Sequence, residues 1–169
     1  AETRVIPDAQ PGLGPLGGLA TALGAIMTPY VFVIACDMPF VQPALIRAQA
    51  RLALDGYTAT GAPTVDAPTL GATDAATSAP SAYDVVALRT AQGLEPLHAI
   101  YARACLPNVA AQLAAGDLAL RRLLTRLRVR ELSADEVARA DPQGLSTLNA
   151  NTPDEWARMV ALAEGAADA

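Results

Sequence analysis

Tyr30-Val-Phe-Val-Ile-Ala-Cys-Asp-Met-Pro39 is the stretch that decides the fold. Residues 30–35 are an unbroken run of β-branched, aromatic and small apolar side chains, without the alternation of a half-buried strand. That pattern predicts a fully buried strand of the kind found in parallel sheets. Cys36-Asp-Met-Pro39 then turns. Upstream, Leu19, Leu23, Ile26 and Met27 recur at helical spacing and Thr28-Pro29 closes the helix. Downstream, residues 43–54 form a helix ending near Gly56. Helix, buried strand and helix in succession predict an α/β fold.

Working outward, residues 5–7 predict no more than the end of a strand, and 8–18, dense in Gly and Pro, a loop. Residues 58–82 break the pattern: of these 25, eight are Ala and six Thr, with no period and little to bury. They predict a flexible low-complexity insertion, not a domain. Order resumes with a strand at 84–88, a turn at 89–93 and an antiparallel partner at 97–101. Helices follow at 106–115 and 118–127, then a short strand at 129–132. Ser133-x-x-Glu136 has capping-box spacing. Residues 145–148 predict a last short strand. Thr152-Pro-Asp-Glu155 opens the final helix, with Thr152 as N-cap, Pro153 at the first helical position and Glu155 as the reciprocal partner.

The bulk properties narrow the function. The 169 residues fit one domain. Of them 52% are apolar, but Ala supplies 38, so large core side chains are fewer than that figure suggests. A net charge of −5 argues against a dedicated duplex nucleic-acid binder. No apolar run is long enough to predict a transmembrane helix. Cys36 and Cys105 have no metal-ligand spacing, and the expectation is free buried thiols in a reducing cytosol. With His98 the only histidine, neither an ordinary zinc site nor a triad is expected. There is no Lys; all twelve basic residues are Arg. Residue 1 is Ala and the first Met is at 27, which reads as a processed chain or a piece of something longer.

Four segments carry candidate chemistry. Gly12-Leu-Gly-Pro-Leu-Gly-Gly18 lets backbone approach a ligand just before a helix N-terminus, which suits a flat polar base or an anion; a plain structural turn is the competing reading. Asp37 directly follows the central strand, where α/β sheets bind ligands, and is a hard-oxygen donor suited to Mg²⁺; a turn-capping Asp is the alternative. Asn149-Ala-Asn-Thr-Pro153 follows a strand and precedes a capped helix. Capping explains Thr152 and Pro153 but does not require both Asn149 and Asn151. In Leu94-Glu-Pro-Leu-His-Ala-Ile-Tyr101, His98 reads first as a scaffold residue.

In order and spacing these segments resemble the MobA family of molybdenum cofactor guanylyltransferases. The family pattern is a Val-Ile-x-Asp strand end, a Gly-Pro-Leu-x-Gly loop, a Cys-Asp-x-Pro turn, a Glu-Pro-Leu-His-Ala-like segment and an Asn-x-Asn-Thr-Pro turn. Here they stand at 5–8, 14–18, 36–39, 95–99 and 149–153. The resemblance implies a three-layer αβα, Rossmann-like nucleotidyltransferase fold with a mostly parallel sheet, as one domain over 1–169. It implies Mg²⁺-dependent transfer of GMP from GTP to the molybdopterin cofactor, releasing pyrophosphate. Asp37 would hold the metal and be catalytic. Gly14, Pro15, Leu16, Gly17 and Gly18 would contact guanine, with Asp8 nearby. Asn151 first, with Asn149 as a second candidate, would lie near the metal or the second substrate. The implied setting is cytoplasmic, with molybdoenzyme chaperones and cofactor-biosynthesis proteins as further partners, and neither nucleic acid nor membrane.

One departure matters. The family's Leu-Ala-Gly-Gly-x-Ser-x-Arg-Met-Gly-x-Asp-Lys phosphate loop, with the strand before it, has no counterpart here. A fragment of a complete enzyme is the favoured explanation, and a naturally shortened relative the alternative. Either way, little or no guanylyltransferase activity is expected of these 169 residues alone. Two other functions stand beside the main one: cytidylyl or other nucleotidyl transfer to a phosphorylated acceptor, and a non-catalytic relative that binds cofactor or a partner.

Overall fold

Helix α1 (Gly14–Ala25) starts inside the glycine-rich run, not after it. Pro15 sits in its first turn, where a missing N–H leaves nothing unsatisfied. Leu16, Leu19 and Leu23 recur on its inner face and are buried. The computed structural model describes residues 3–58 and 82–167; the insertion expected at 58–82 lies outside them apart from its end residues. Strand β1 (Tyr30–Ile34) and helix α2 (Pro43–Thr58) follow α1. Leu45, Gln49 and Ala53 stand one turn apart along α2 and form its buried stripe.

Strands β2 (Val85–Thr90) and β3 (Gly93–Ala102) form a hairpin through Ala91 and Gln92. Gly93 takes a φ of 109°, a conformation side chains rarely adopt. Thr90 Oγ1 accepts from the Gln92 N–H at 3.2 Å and donates to the Gly93 carbonyl at 3.0 Å. So short a connection joins antiparallel strands only. Strand β4 (Val129–Leu132) pairs parallel with β2, and the sheet order is β1-β3-β2-β4. Strands β1, β2 and β4 therefore run one way and β3, between β1 and β2, the other. The sheet is mixed, which corrects the expectation of a mostly parallel one: β2·β4 is the single parallel pair among the described strands.

The α/β class and the three layers stand. Helices α1, α3 (Leu106–Ala114) and α4 (Leu120–Leu124) pack on one face around Val85, Ala87, Ala99 and Tyr101. Helices α2 and α5 (Ala134–Ala140) cover the other around Val86, Leu88, Ile100 and Leu132. Successive strand residues serve opposite faces, so the hairpin feeds two cores at once. Helix α6 (Pro153–Ala167) follows, with Met159 buried.

Four local expectations change. Strand β1 is not fully buried: each of its residues is half-buried, and β3 is its only partner among the described residues. Residues 5–7 form no strand, and Val5 is 88% exposed. The helix expected at 118–127 shrinks to Leu120–Leu124, because the Asp117 carboxylate accepts the Ala119 N–H at 3.1 Å and holds the preceding residues in a turn. Residues 145–148 form no strand: Leu145–Thr147 are a 3₁₀ turn. There the Asp141 carboxylate takes the Leu145 N–H (3.2 Å), the Ser146 N–H (2.8 Å) and the Ser146 hydroxyl (2.6 Å), after Gly144 has turned the chain at φ 66°. Once captured by a side chain, those N–H groups are lost to a ladder.

Candidate functional site

The Glu95-Pro-Leu-His98 segment breaks the β2·β3 ladder. Register steps from Ala87↔Ala99 to Leu88↔Glu95, so Pro96, Leu97 and His98 have no partner on β2. Such a bulge frees backbone polar groups that must be satisfied elsewhere. The Tyr101 hydroxyl donates to the Pro96 carbonyl at 2.9 Å. Burial, with nearby Cys105 and Glu95 adding to it, pushes that hydroxyl above its usual range and keeps it a donor. Glu95 accepts the Leu97 N–H at 3.1 Å, and Gln49 Nε2 donates to the carbonyls of His98 (3.0 Å) and Val86 (3.3 Å). The Leu97 carbonyl accepts the Ala35 N–H at 2.9 Å, one residue past the end of β1.

Asp37 hangs from that bond. The Met38 N–H closes a turn onto the Ala35 carbonyl at 3.3 Å, and the buried Met38 side chain anchors it. Cys36 is exposed, which corrects the expectation of a buried thiol at this position, while Asp37 is half-buried. The Asn149–Pro153 turn is fastened alongside: the Ala150 N–H donates to the Asp37 carbonyl at 2.9 Å. Two segments more than a hundred residues apart are thereby joined. Asp37 Oδ1 and Asn149 Oδ1 are both buried without a hydrogen-bond partner. Both are acceptors, so neither can satisfy the other, and a buried acceptor without a donor or cation is costly. A hard cation fits this pair. No cluster of three or more acidic, His or Cys ligands exists among the described residues. A Mg²⁺ ion, which takes one or two carboxylates with waters and substrate phosphates, would not need such a cluster.

The two asparagines part company. Asn151 is exposed, and its N–H donates to Glu155 Oε2 at 2.9 Å. The Thr152 N–H reaches the same oxygen at 2.9 Å, and the Glu155 N–H returns to Thr152 Oγ1 at 3.2 Å, completing the expected cap. The Asn151 backbone bond leads the influences that hold Glu155 below its usual range. Asn149 therefore has the buried acceptor, and Asn151 the cap.

The glycine-rich run supplies backbone. Gly14 needs its glycine for a φ of 59°, and a Cβ on Gly17 would lie 2.8 Å from the Leu13 Cβ. The Leu16 side chain is fully buried in the core, so only its backbone can face a ligand. No side chain caps α1 and its first turn holds no acid, which leaves its N–H groups and positive dipole end open to an anion or polar acceptor. Asp8 lies over this turn: a Cβ on Gly18 would be 3.8 Å from Asp8 Oδ1. The Ala9 N–H donates to Thr21 Oγ1 at 3.0 Å and fastens the segment to α1.

Gln49 and Tyr101 were not singled out by the sequence. Gln49's signal is a polar residue in the middle of the Leu45–Ala53 apolar stripe; Tyr101 gives none. His98 is fully buried, its ring edge-on to Phe32 at 5.0 Å, and both ring nitrogens lack partners. Burial lowers its pKa, against weaker pulls from its own backbone carbonyl and from Asp141. Cys105 is buried and its thiol pushed up to about 12, chiefly by that burial.

A family model described as "MobA-like NTP transferase domain" matches residues 1–132. A protein of Chloroflexus aggregans named "Probable molybdenum cofactor guanylyltransferase" is 34% identical over 152 residues, covering 90% of this chain and 62% of the relative. "Molybdenum cofactor guanylyltransferase" of Desulfosudis oleivorans is 30% identical over 142 residues, covering 84% and 57%. The chain thus spans about three fifths of these curated relatives. Among solved structures, molybdopterin-guanine dinucleotide biosynthesis protein A from Archaeoglobus fulgidus superimposes with a TM-score of 0.66 at 24% identity, covering 90% of this chain and 64% of that one. At that identity the likeness concerns the fold.

Proposed function

The chain belongs to the MobA-like NTP transferase family, and on that premise we propose that it carries the metal-binding and base-binding part of a molybdenum cofactor guanylyltransferase. The reaction is GTP plus molybdopterin cofactor to the guanine dinucleotide form plus pyrophosphate. The pterin's terminal phosphate oxygen attacks the α-phosphorus of GTP, and the bond to the β-phosphate oxygen breaks in line. The observation that carries this reading is that Asp37 and Asn149 each keep a buried, unpartnered oxygen, on two segments that the Ala150–Asp37 backbone bond joins.

Each residue has a distinct task in this proposal. Asp37, with Asn149, would hold Mg²⁺. When bound, the ion offsets negative charge growing on the departing pyrophosphate. The turn that ends β1 would present the Asp37 carboxylate preorganised, so that little rearrangement accompanies transfer. In the open first turn of α1 the backbone N–H groups of Gly14 and Leu16 are offered to guanine, while Pro15, Gly17 and Gly18 shape the backbone that the base lies against. Asp8 accepts from the base's amino and imino groups. Asn151 positions the Asn149 turn through its bond to Glu155. Cytoplasmic location and hand-over to molybdoenzyme chaperones follow from the same reading.

Calorimetric titration of GTP tests this, with and without Mg²⁺, on the wild type and Asp37→Asn. Mg²⁺ is expected to strengthen binding at least tenfold in the wild type and to have no effect in D37N. Equal Mg²⁺ dependence in both proteins refutes the assignment of Asp37. For the whole reaction, GTP labelled in its α-phosphate is incubated with molybdopterin. The 169-residue chain is expected to give little or no labelled dinucleotide.

A further inference from the structure

We infer that Gln49 is a positioning residue for the Asp37 turn, acting through the β3 bulge. The chain of contacts is short. Gln49 is fully buried on α2, and its amide donates to the carbonyls of His98 and Val86 at 3.0 and 3.3 Å, bridging β3 and β2 where their register breaks. His98 is also the last residue of β3 in register with β1, opposite Ile34. The neighbouring Leu97 carbonyl takes the Ala35 N–H at 2.9 Å, and the Ala35 carbonyl takes the Met38 N–H at 3.3 Å. The orientation of the bulge therefore sets where β1 ends and where Asp37 is presented. On the opposite face of the sheet Tyr101 secures Pro96 at 2.9 Å, so the bulge is clamped from both sides. A polar amide in an apolar stripe, with its own Oε1 left unpartnered, is poor packing. Its place is explained by the two carbonyls it holds.

The backbone part of this inference stands by itself; the consequence for a cation rests on the reading of Asp37 above. Gln49→Met is compared with Gln112→Met. Gln112 is an equally buried amide on α3 that donates to the Ala119 carbonyl at 3.0 Å, far along the chain from the Asp37 turn. Amide hydrogen exchange is followed at Ala35 and Ala150, and Mn²⁺ affinity by the loss of its free-ion magnetic resonance signal. In Q49M, exchange at Ala35 and Ala150 is expected to quicken at least tenfold and Mn²⁺ affinity to fall at least fivefold. In Q112M neither should change, whatever its melting temperature. Unchanged exchange at Ala35 in Q49M, or equal quickening in Q112M, overturns the inference. Quickened exchange specific to Q49M, with no Mn²⁺ binding even in the wild type, upholds the clamp and refutes the cation reading of Asp37. If Q49M does not fold, Gln49→Asn, whose amide falls one methylene short of the bulge, is read in the same way.

Discussion

Replacing His98 by Leu separates what its ring costs from what it contributes. The imidazole is fully buried, touches Phe32 edge-on at 5.0 Å, and has no hydrogen-bond partner at either nitrogen. A buried polar group left unsatisfied costs about 1–3 kcal/mol, and an aromatic edge contact returns about 0.5–1.5 kcal/mol. His98→Leu, close in volume, is therefore expected to stabilise the fold at neutral pH by about 1 kcal/mol, or about 2–4 °C in melting temperature. The pH dependence is the sharper arm. Burial depresses the folded-state pKa, outweighing the pull of its own backbone carbonyl and the attraction of the Asp141 charge. The unfolded chain then takes up a proton first as pH falls below its own value of about 6.5, so the unfolded state binds more protons and stability drops. The contribution is complete above about 6.5 and is lost as pH falls towards the depressed folded value, by up to about 1.4 kcal/mol per pH unit. Because His98 is the single histidine, urea unfolding between about pH 7.5 and about pH 5.5 should show this slope in the wild type and none of it in H98L. An identical slope in both proteins, or an H98L variant less stable by more than about 2 kcal/mol, refutes the argument and means that the ring nitrogens are partnered.

Other outcomes follow from the same structure. Ser133→Ala breaks the capping box of α5, in which the Glu136 N–H meets Ser133 Oγ at 3.3 Å and the Ser133 N–H meets Glu136 Oε2 at 2.7 Å; a loss of about 1 kcal/mol is expected by urea unfolding. Burial pushes Asp84 up, but bonds from the Arg128 side chain and backbone outweigh it and the net pKa is lowered. Asp84 thus stabilises the fold above its unfolded value of about 3.9 and loses this as pH falls further; at neutral pH Asp84→Asn should cost only about 0.5–1 kcal/mol, because the pair is solvent-screened. Cys36 is exposed while the buried Cys105 thiol is pushed up to about 12. A thiol reagent should therefore label one cysteine in the folded protein and both in denaturant, and rapid native labelling of Cys105 contradicts the packing.

The α/β class was legible because residues 30–35 and the helices flanking them are strong, local signals. Both capping boxes were legible for the same reason: Ser133 with Glu136, and Thr152 with Glu155, act within a single turn. The sheet's mixed character was not, since strand order depends on contacts that a periodic pattern does not encode. A continuous apolar run at 30–35 also does not reveal whether a neighbour lies on each side of the strand. The strand expected at 145–148 fails for a local reason. Asp141, four residues before Leu145, can take N–H groups away from any ladder.

By itself the sequence determined the family, the family's ordered motifs, the candidacy of Asp37 and the ends of two helices. These are properties of residue type and short spacing, and they survive whatever the rest of the chain does. Only the tertiary structure separated Asn149 from Asn151, because which amide oxygen ends up buried depends on the Ala150–Asp37 bond. Only the tertiary structure turned Gln49 from a blemish in an apolar stripe into the residue that holds two carbonyls of the sheet. Hydrogen-bond satisfaction is counted in space, and the donor for a bulge on β3 came from a helix 49 residues away in sequence.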